Sequence, residues 1–403
     1  MDDYVVVGID WGTGFTKSAY RRAGDKYVHP ICVGRPDYCN SYIIPSVVLY
    51  DVEGRQWLYG AKARDLRHND DENPQKSEIR KEEMKAALMA DMREPLESTY
   101  QLCARYLYYI LQRCRQEIMV AERRHGKPIT LHPRNMFVRF PVPVWPLENP
   151  DKVRIAKRFE RVYRMAWGAF ARHPDPKDIE TMDFRFTEAA GSEFEDFCEI
   201  YSELSCALKA FELSERHRHD KINIIYDVGQ GTTEVTIVEP KGPDKAPRHL
   251  AAQVMEKACG HVSLHLHEKH RFKKPKGARG TLELIKKKLE NRKSMSDKDV
   301  HDELAMGLQE IIWESARNAI ELAWNKKKGM HHWADENVIV LLCGGISQTP
   351  FAQRVFEKSH VKGIEPYRLL PMEAPDDFGL NNEELRANLF PRMAVAYGLC
   401  VAS

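Results

Sequence analysis

Apolar positions along this chain switch between the two-residue alternation of strands and the three-and-four spacing of helices. The stretch that organises the pattern is residues 222–240, INIIYDVGQGTTEVTIVEP. Ile222, Ile224 and Ile225 lead to Asp227, Gly229 and Gly231 interrupt, and Val235, Ile237 and Val238 resume. This predicts a strand, a glycine turn and a second strand. Residues 4–20, YVVVGIDWGTGFTKSAY, repeat the pattern without gaps: Asp10 falls on Asp227, Gly12 on Gly229, Gly14 on Gly231 and Thr16 on Thr233. Both copies spell D-x-G-x-G-x-T. Two copies of one unit, half a chain apart, predict two related half-domains facing a shared cleft.

The remaining pattern fills in around these hairpins. Short strands are expected over residues 42–50 and 57–59, after a loop region with Pro30, Pro36 and Pro45. Residues 67–83 are dense in charge and predict an exposed, mobile insertion. Two helical stretches follow. In the second, Cys103, Leu107, Ile110, Leu111, Cys114 and Ile118 form a core-facing stripe. Residues 136–140 read as a strand stopped by Pro141, Pro143 and Pro146. Asn149-Pro150-Asp151 then opens a helix whose apolar face is Phe159, Tyr163, Trp167 and Phe170. Residues 202–214 predict a helix with Leu204, Ala207, Leu208 and Phe211 inward, joined to the second hairpin by a polar link. Residues 241–249 read as a Pro-rich loop, 261–293 as His-rich and basic, and 301–326 as a long helix. Residues 338–342 form a buried-type strand running into Cys343-Gly344-Gly345, and Pro350 opens a further helix. A Pro-rich loop over 364–375 precedes a closing helix of small residues, MAVAYGLCVA.

Composition narrows the class. The chain has 403 residues, enough for two or more substantial cores. It is 43% hydrophobic and 30% charged, ordinary for a soluble protein. The formal net charge of +2 argues against a dedicated nucleic-acid binder. Nine cysteines without a C-x-x-C predict reduced thiols rather than a disulfide framework. The first residues enter a strand at once, so no signal peptide is expected, and no apolar run reaches membrane-spanning length. The expectation is a cytoplasmic or nuclear protein with no membrane or nucleic-acid partner.

Three features bear on chemistry. Two carboxylates with two turns of backbone N–H donors suit a divalent metal bound to a polyphosphate: the N–H groups take phosphate oxygens and the acids hold Mg²⁺ or its waters. Gly344 and Gly345 lie where a strand meets a helix. There they serve either close approach to a purine or ribose, or a plain helix-entry turn. His261, His265, His267 and His270 lie on adjacent helical turns, but no Cys or acid completes a recognisable zinc set. The basic run 273–293 is expected as a solvated helix face. No G-x-x-x-x-G-K-[ST] is present, which excludes a Walker-type site.

The ordered set D10-W-G-T-G-F-T, S202-E-L-S-C-A, D227-V-G-Q-G-T-T-E and G344-G-I-S-Q-T-P resembles the actin-like ATPase superfamily. The likeness is strongest to the nucleotide-binding domain of the seventy-kilodalton heat-shock chaperones. Ile9-Asp10-Trp11-Gly12-Thr13 is similar to that family's first signature, and Ala394-Val395-Ala396-Tyr397-Gly398 to its closing A-V-A-Y-G. FPVPVWP resembles its segment before a helix. The set looks like the divergent short form found in fungi, lacking a peptide-binding domain. The resemblance implies an α/β, two-lobed actin-like fold, a duplicated ribonuclease-H-like unit with a nucleotide cleft between lobes. Lobe I would be 1–220 (core 1–40 and 134–220, insertion 41–133) completed by 376–403. Lobe II would be 221–375 (core 221–255 and 309–375, insertion 256–308).

Residue roles follow from the resemblance alone. Gly12, Thr13, Gly14 and Phe15 would form the first phosphate loop, and Gly229, Gln230, Gly231 and Thr232 the second. Asp10 and Asp227 would hold the water shell of Mg²⁺, Glu203 would orient the attacking water, and Lys85 would neutralise the γ-phosphate. Glu290, Arg292, Lys293 and Ser296 would contact ribose and adenine, with Gly344, Gly345 and Gln348 completing the pocket. The chain departs from the family at Gln230 (glycine there), Gln348 (an arginine stacking on adenine), Leu204 (proline) and Lys17, which is closer to actin. The implied activity is Mg-dependent, slow ATP hydrolysis with ATP or ADP as ligand, lobe closure as the signal, and a protein partner or co-chaperone as its reader. Two alternatives stay open: a nucleotide-dependent scaffold or filament former with little hydrolysis, and a small-molecule phosphotransferase.

Overall fold

The computed structural model is mixed α/β. It describes residues 4–33, 39–63, 79–81, 84–89, 94–143, 150–175, 179–180, 185–189, 191–214, 222–239, 248–255, 258–270, 272, 282–291, 296–326, 338–349, 355 and 368–402. The chain divides into two compact units. One is Met1–Cys206 with Asp376–Arg386 and Val395–Ser403, and the other is Ala207–Pro375 with Ala387–Ala394.

In the first unit the strands are β1 (Val5–Trp11), β2 (Phe15–Arg22), β3 (His29–Pro30), β4 (Ile43–Pro45), β5 (Val48–Asp51), β6 (Gln56–Tyr59), β7 (Ile79–Lys81), β8 (Met136–Val142) and β9 (Cys198–Ser202). The main sheet runs β3-β2-β1-β8-β9, with β4 added on β2; β6-β5-β7 form a separate small sheet. β1 is buried at every residue, as its unbroken V-V-V-G-I run demands of a strand covered on both faces. Helix Glu97–Arg124 and helix Pro150–Arg172 pack together beside it. The expected stripes are the buried ones: Leu107, Ile110, Leu111 and Ile118 on one helix, Phe159, Tyr163, Trp167 and Phe170 on the other. Phe140 of β8 stacks on Tyr163 with ring centroids 4.3 Å apart. Gly398, in the closing helix Glu383–Val401, has no room for a side chain: a Cβ there would overlap the backbone carbonyl of Cys206.

In the second unit the strands are β10 (Ile222–Val228), β11 (Thr233–Glu239), β12 (Arg248–Met255), β13 (Val338–Cys343) and β14 (Arg368–Pro371), in the order β12-β11-β10-β13-β14. This sheet repeats the first strand for strand. β1 and β10 each pair antiparallel with the next strand and parallel with a distant one, β8 and β13. β8 and β13 in turn pair parallel with β9 and β14. A long helix precedes the distant strand in both units, Glu97–Arg124 before β8 and Asp297–Lys326 before β13.

Several expectations are corrected. The strand expected to stop before Pro141 runs to Val142, pairing Pro141 with Tyr201 of β9. Pro141 costs no ladder bond toward β1, because that pairing ends at Arg139. β7 lies within the expected charged insertion, β12 takes in Arg248 and His249 of the expected 241–249 loop, and β14 lies within the expected 364–375 loop. The long helix starts at Asp297, not at 301, because Ser296 caps it: Ser296 Oγ accepts from Asp299 N–H at 3.2 Å. The rest of the 67–83 insertion, the 215–221 link and the helix expected at Pro350 lie outside the described residues, Val355 apart.

Candidate functional site

The two D-x-G-x-G-x-T copies fold into the same local structure. In the first, Asp10 pairs with Lys17 and Trp11 with Thr16, leaving Thr13 and Gly14 at the tip; Gly12 N–H donates to Phe15 O at 3.1 Å. In the second, Asp227 pairs with Glu234 and Val228 with Thr233, leaving Gln230 and Gly231 at the tip; Gly229 N–H donates to Thr232 O at 2.9 Å. Each unit holds its own turn by the carbonyls. Ser46 donates its Oγ–H to Gly12 O (2.8 Å) and its N–H to Gly14 O (2.9 Å). Tyr106 O–H reaches Thr16 Oγ1 at 2.8 Å and ties this corner to helix Glu97–Arg124. In the second unit the first N–H groups of helix Cys259–Lys269 do the same: Cys259 N–H donates to Gly229 O (3.3 Å) and Gly260 N–H to Gln230 O (2.9 Å). Those N–H groups are the orphan donors of a helix start, so their use here is economical.

The first unit gathers a buried charge cluster beside its turn. Lys17 pairs with Asp10, directly across the hairpin. Lys85, from the short helix Met84–Met89, pairs with Glu203, the first residue of helix Glu203–Glu212. Lys85 and Glu203 are 3% and 6% exposed, so both charges sit in protein and neither is held by solvent. The two pairs belong to one neighbourhood. Burial, and then the charges of Glu203 and Asp10, hold the Tyr163 phenol far above its ordinary range, and the Cys206 thiol is raised by the same causes. Tyr163 therefore stays neutral and donates to Pro141 O at 2.5 Å. Two lysines balance two carboxylates, which is what permits Asp10, Lys85 and Glu203 to be buried beside the half-buried Lys17.

The second unit sets Asp227 against the glycine pair. Gly344 has φ +80°, and a Cβ on it would overlap Asp227 Oδ1. Only glycine satisfies both constraints. Gly344 N–H donates to Pro391 O at 3.0 Å, which ties the corner to the closing helix. Gly345 has open space where its side chain would be.

The sequence-derived residues thus fall into three sets. Asp10, Gly12, Thr13, Gly14, Phe15, Lys85 and Glu203 belong to the first unit; Asp227, Gly229, Gln230, Gly231, Thr232, Gly344 and Gly345 belong to the second. Away from the second turn's own contacts, Ser296 is engaged as a helix cap with Asp299, and Glu290 is exposed and pairs with Lys286 at 3.4 Å. Arg292, Lys293 and the side chain of Gln348 lie outside the described residues. Residue patterns gave no hint of Ser46 or Tyr106, and marked Tyr163 only as part of a core-facing helix stripe. The one available signal was the polar Ser46 set between two apolar runs, IIP and VVLY.

The histidine group is structural where it is described. His267 Nδ1–H donates to Ser263 O (2.7 Å) and its Nε2 accepts from Lys288 (3.2 Å); His270 meets Glu303 at 3.1 Å. Among the described residues no group of three or more His, Cys, Asp or Glu is placed to hold a metal ion, and no helix is long and apolar enough to cross a membrane. Among the described residues eight cysteines are free thiols, six of them buried. No protein-family model and no curated protein matches the chain.

Proposed function

We propose that this chain is a two-lobed, actin-like ATP-binding protein with slow, Mg-dependent hydrolysis. The observation that carries the reading is the duplication. A five-strand path in the six-stranded sheet of the first unit and the five-stranded sheet of the second share one order and one set of directions, and each places a D-x-G-x-G turn at the same hairpin, closed by the same hydrogen bond. A repeated order of this kind supports the reading of one unit duplicated. In each turn the unit's own donors take carbonyl oxygens, which suits the remaining backbone N–H groups to an anion.

The donor set fits a Mg²⁺-polyphosphate. Mg²⁺ keeps most of its waters and takes one or two carboxylates, so the aspartate of either turn would be enough to hold it. When bound, the metal would neutralise charge on the phosphates. Lys85 would leave Glu203 for the γ-phosphate, freeing that carboxylate to orient a water in line. The ion pair between these residues, 118 positions apart in sequence, supports pairing their roles. Isothermal titration with ATP and ADP, with and without Mg²⁺, followed by phosphate release, tests the proposal. Asp227→Asn and Asp10→Asn should each abolish measurable release; normal turnover by either variant defeats the reading.

One observation favours a scaffold or filament former with little hydrolysis. Asp10 is already neutralised by Lys17, which weakens its hold on a metal's waters. Light scattering with and without Mg-ATP separates the two: assembly without phosphate release favours the scaffold.

A further inference from the structure

We propose that Ser46 is the positioning residue of the first glycine turn: it gives the turn its preference for an anion and aims the Thr13 N–H at a phosphate of the ligand. The proposal rests on the ATP-binding reading and adds to it a residue outside the D-x-G-x-G-x-T motif. Ser46 is buried and follows β4 directly. It holds two carbonyls of the turn, Gly12 O with its hydroxyl at 2.8 Å and Gly14 O with its N–H at 2.9 Å. A trans peptide keeps its C=O and N–H antiparallel. Drawing the Gly12 carbonyl onto Ser46 therefore turns the Thr13 N–H away from Ser46. Thr13 and Gly14 are half-buried, and neither N–H has an acceptor among the described residues; the Thr13 carbonyl likewise has no donor there. The tip is thus left with two open donors against one open carbonyl. Without Ser46 it would show two donors against three carbonyls, and its preference for negative charge would be lost.

The Ser46 hydroxyl is itself aimed by a chain of buried hydroxyls. Gly12 O can only accept, so the single hydroxyl proton of Ser46 is committed to it. Ser46 Oγ, 3.1 Å from Thr16 Oγ1, must then accept the Thr16 proton. Thr16 Oγ1 in turn accepts from Tyr106 O–H at 2.8 Å. Thr16, Ser46 and Tyr106 are all buried, so the direction of the chain is set by protein atoms. Hydrogen bonds that run in one sense polarise one another, which strengthens the last of them, the one on the Gly12 carbonyl. Helix Glu97–Arg124 therefore fixes a peptide of the turn through two intervening side chains. The second turn is held differently. Its carbonyls, Gly229 O and Gln230 O, take the backbone N–H groups of Cys259 and Gly260. The donor arrangement of the first turn hangs on one hydroxyl, and that can be removed.

The experiment uses the full chain and three probes: pyrophosphate, ADP and adenosine, each titrated calorimetrically with Mg²⁺ present. Ser46→Ala should weaken pyrophosphate and ADP about tenfold or more, the range of a lost hydrogen bond to a charged group. Adenosine, which carries no phosphate, should bind Ser46→Ala and the native chain alike. Tyr106→Phe leaves Ser46 in place and removes only the far donor, so it should weaken the same two probes by less. The Thr13 amide signal in NMR gives a readout that a merely structural role would not move: saturating Mg-pyrophosphate should shift it in the native chain and shift it less in Ser46→Ala. Unchanged pyrophosphate and ADP affinity in Ser46→Ala overturns the proposal. So does an equal loss for adenosine, or a Thr13 shift that is the same in both proteins. If the native chain binds pyrophosphate through Ser46 but neither ADP nor adenosine, the nucleotide reading falls and the positioning role stands. If ADP binds equally well with and without the Ser46 hydroxyl, the positioning role falls and the nucleotide reading stands. If the native chain binds none of the three, both fall.

Discussion

The Lys85–Glu203 pair concentrates the energetics of the candidate site. Both groups are almost fully buried, so each charge depends on the other for compensation. Removing one partner of such a pair costs about 3–5 kcal/mol, while replacing both with neutral groups costs far less. Lys85→Met should therefore destabilise the protein by about 3 kcal/mol or more, and Lys85→Met with Glu203→Gln should be closer to native than Lys85→Met alone. Urea unfolding of the two single variants and the double variant measures the coupling, and additive losses would show that the pair is not coupled. At this scale the sequence was partly legible. Asp10 and Asp227 stand out because identical spacing recurs around them. Glu203 and Lys85 were reachable only through family resemblance, since no local pattern signals an ion pair across 118 residues.

Elements were legible in proportion to how much they bury. Strands β1, β10 and β13 are buried throughout or nearly so, and their apolar runs announce them. The strands that the pattern did not announce, β3, β7, β9, β12 and β14, all stand at the end of a sheet in the described order. An edge strand has one neighbour and a half-exposed face, so its pattern is diluted with polar residues and looks like loop. The small-residue tail is the opposite case, a pattern whose cause is now visible. Gly398 allows the closing helix to lie directly on the backbone at Cys206. The clash in Gly398→Ala is with backbone and not with a movable side-chain tip, so it should destabilise by about 1–3 kcal/mol, the cost of overpacking, against the small gain in helix propensity. A shift of the thermal midpoint reads the sign. Helix Cys259–Lys269 carries a pH dependence of its own. Burial chiefly, with Lys288 adding to it against the Ser263 hydrogen bond, holds His267 below its usual 6.5. As pH falls through 6.5 the unfolded chain takes up a proton that the folded chain refuses, so stability present above 6.5 is lost on acidification. His267→Gln should remove that part of the slope; equal losses in both proteins between pH 7.5 and 5.5 would rule it out.

At the level of the whole molecule, the duplication has an energetic consequence that can be measured. Each unit has its own sheet and its own buried core, Val5, Val7 and Ile9 in one and Ile224, Val228 and Val340 in the other. Each also has its own network holding its own turn, Ser46 with Tyr106 in one and the start of helix Cys259–Lys269 in the other. A ligand that engaged one turn would stabilise one core by mass action and leave the other alone. A nucleotide taken by both turns, as proposed above, stabilises both by the same free energy, because neither can open without releasing it. Hydrogen exchange in the presence of Mg-ATP should therefore slow in β1 and in β10 together, by similar factors and with the same dependence on nucleotide concentration. Asp227→Asn alters only the second turn, yet on this reading it must remove the added protection from β1 as well. Protection of β10 with no change in β1 would mean that the two glycine turns do not share a ligand. The repeated fold would then be shared ancestry put to two separate uses.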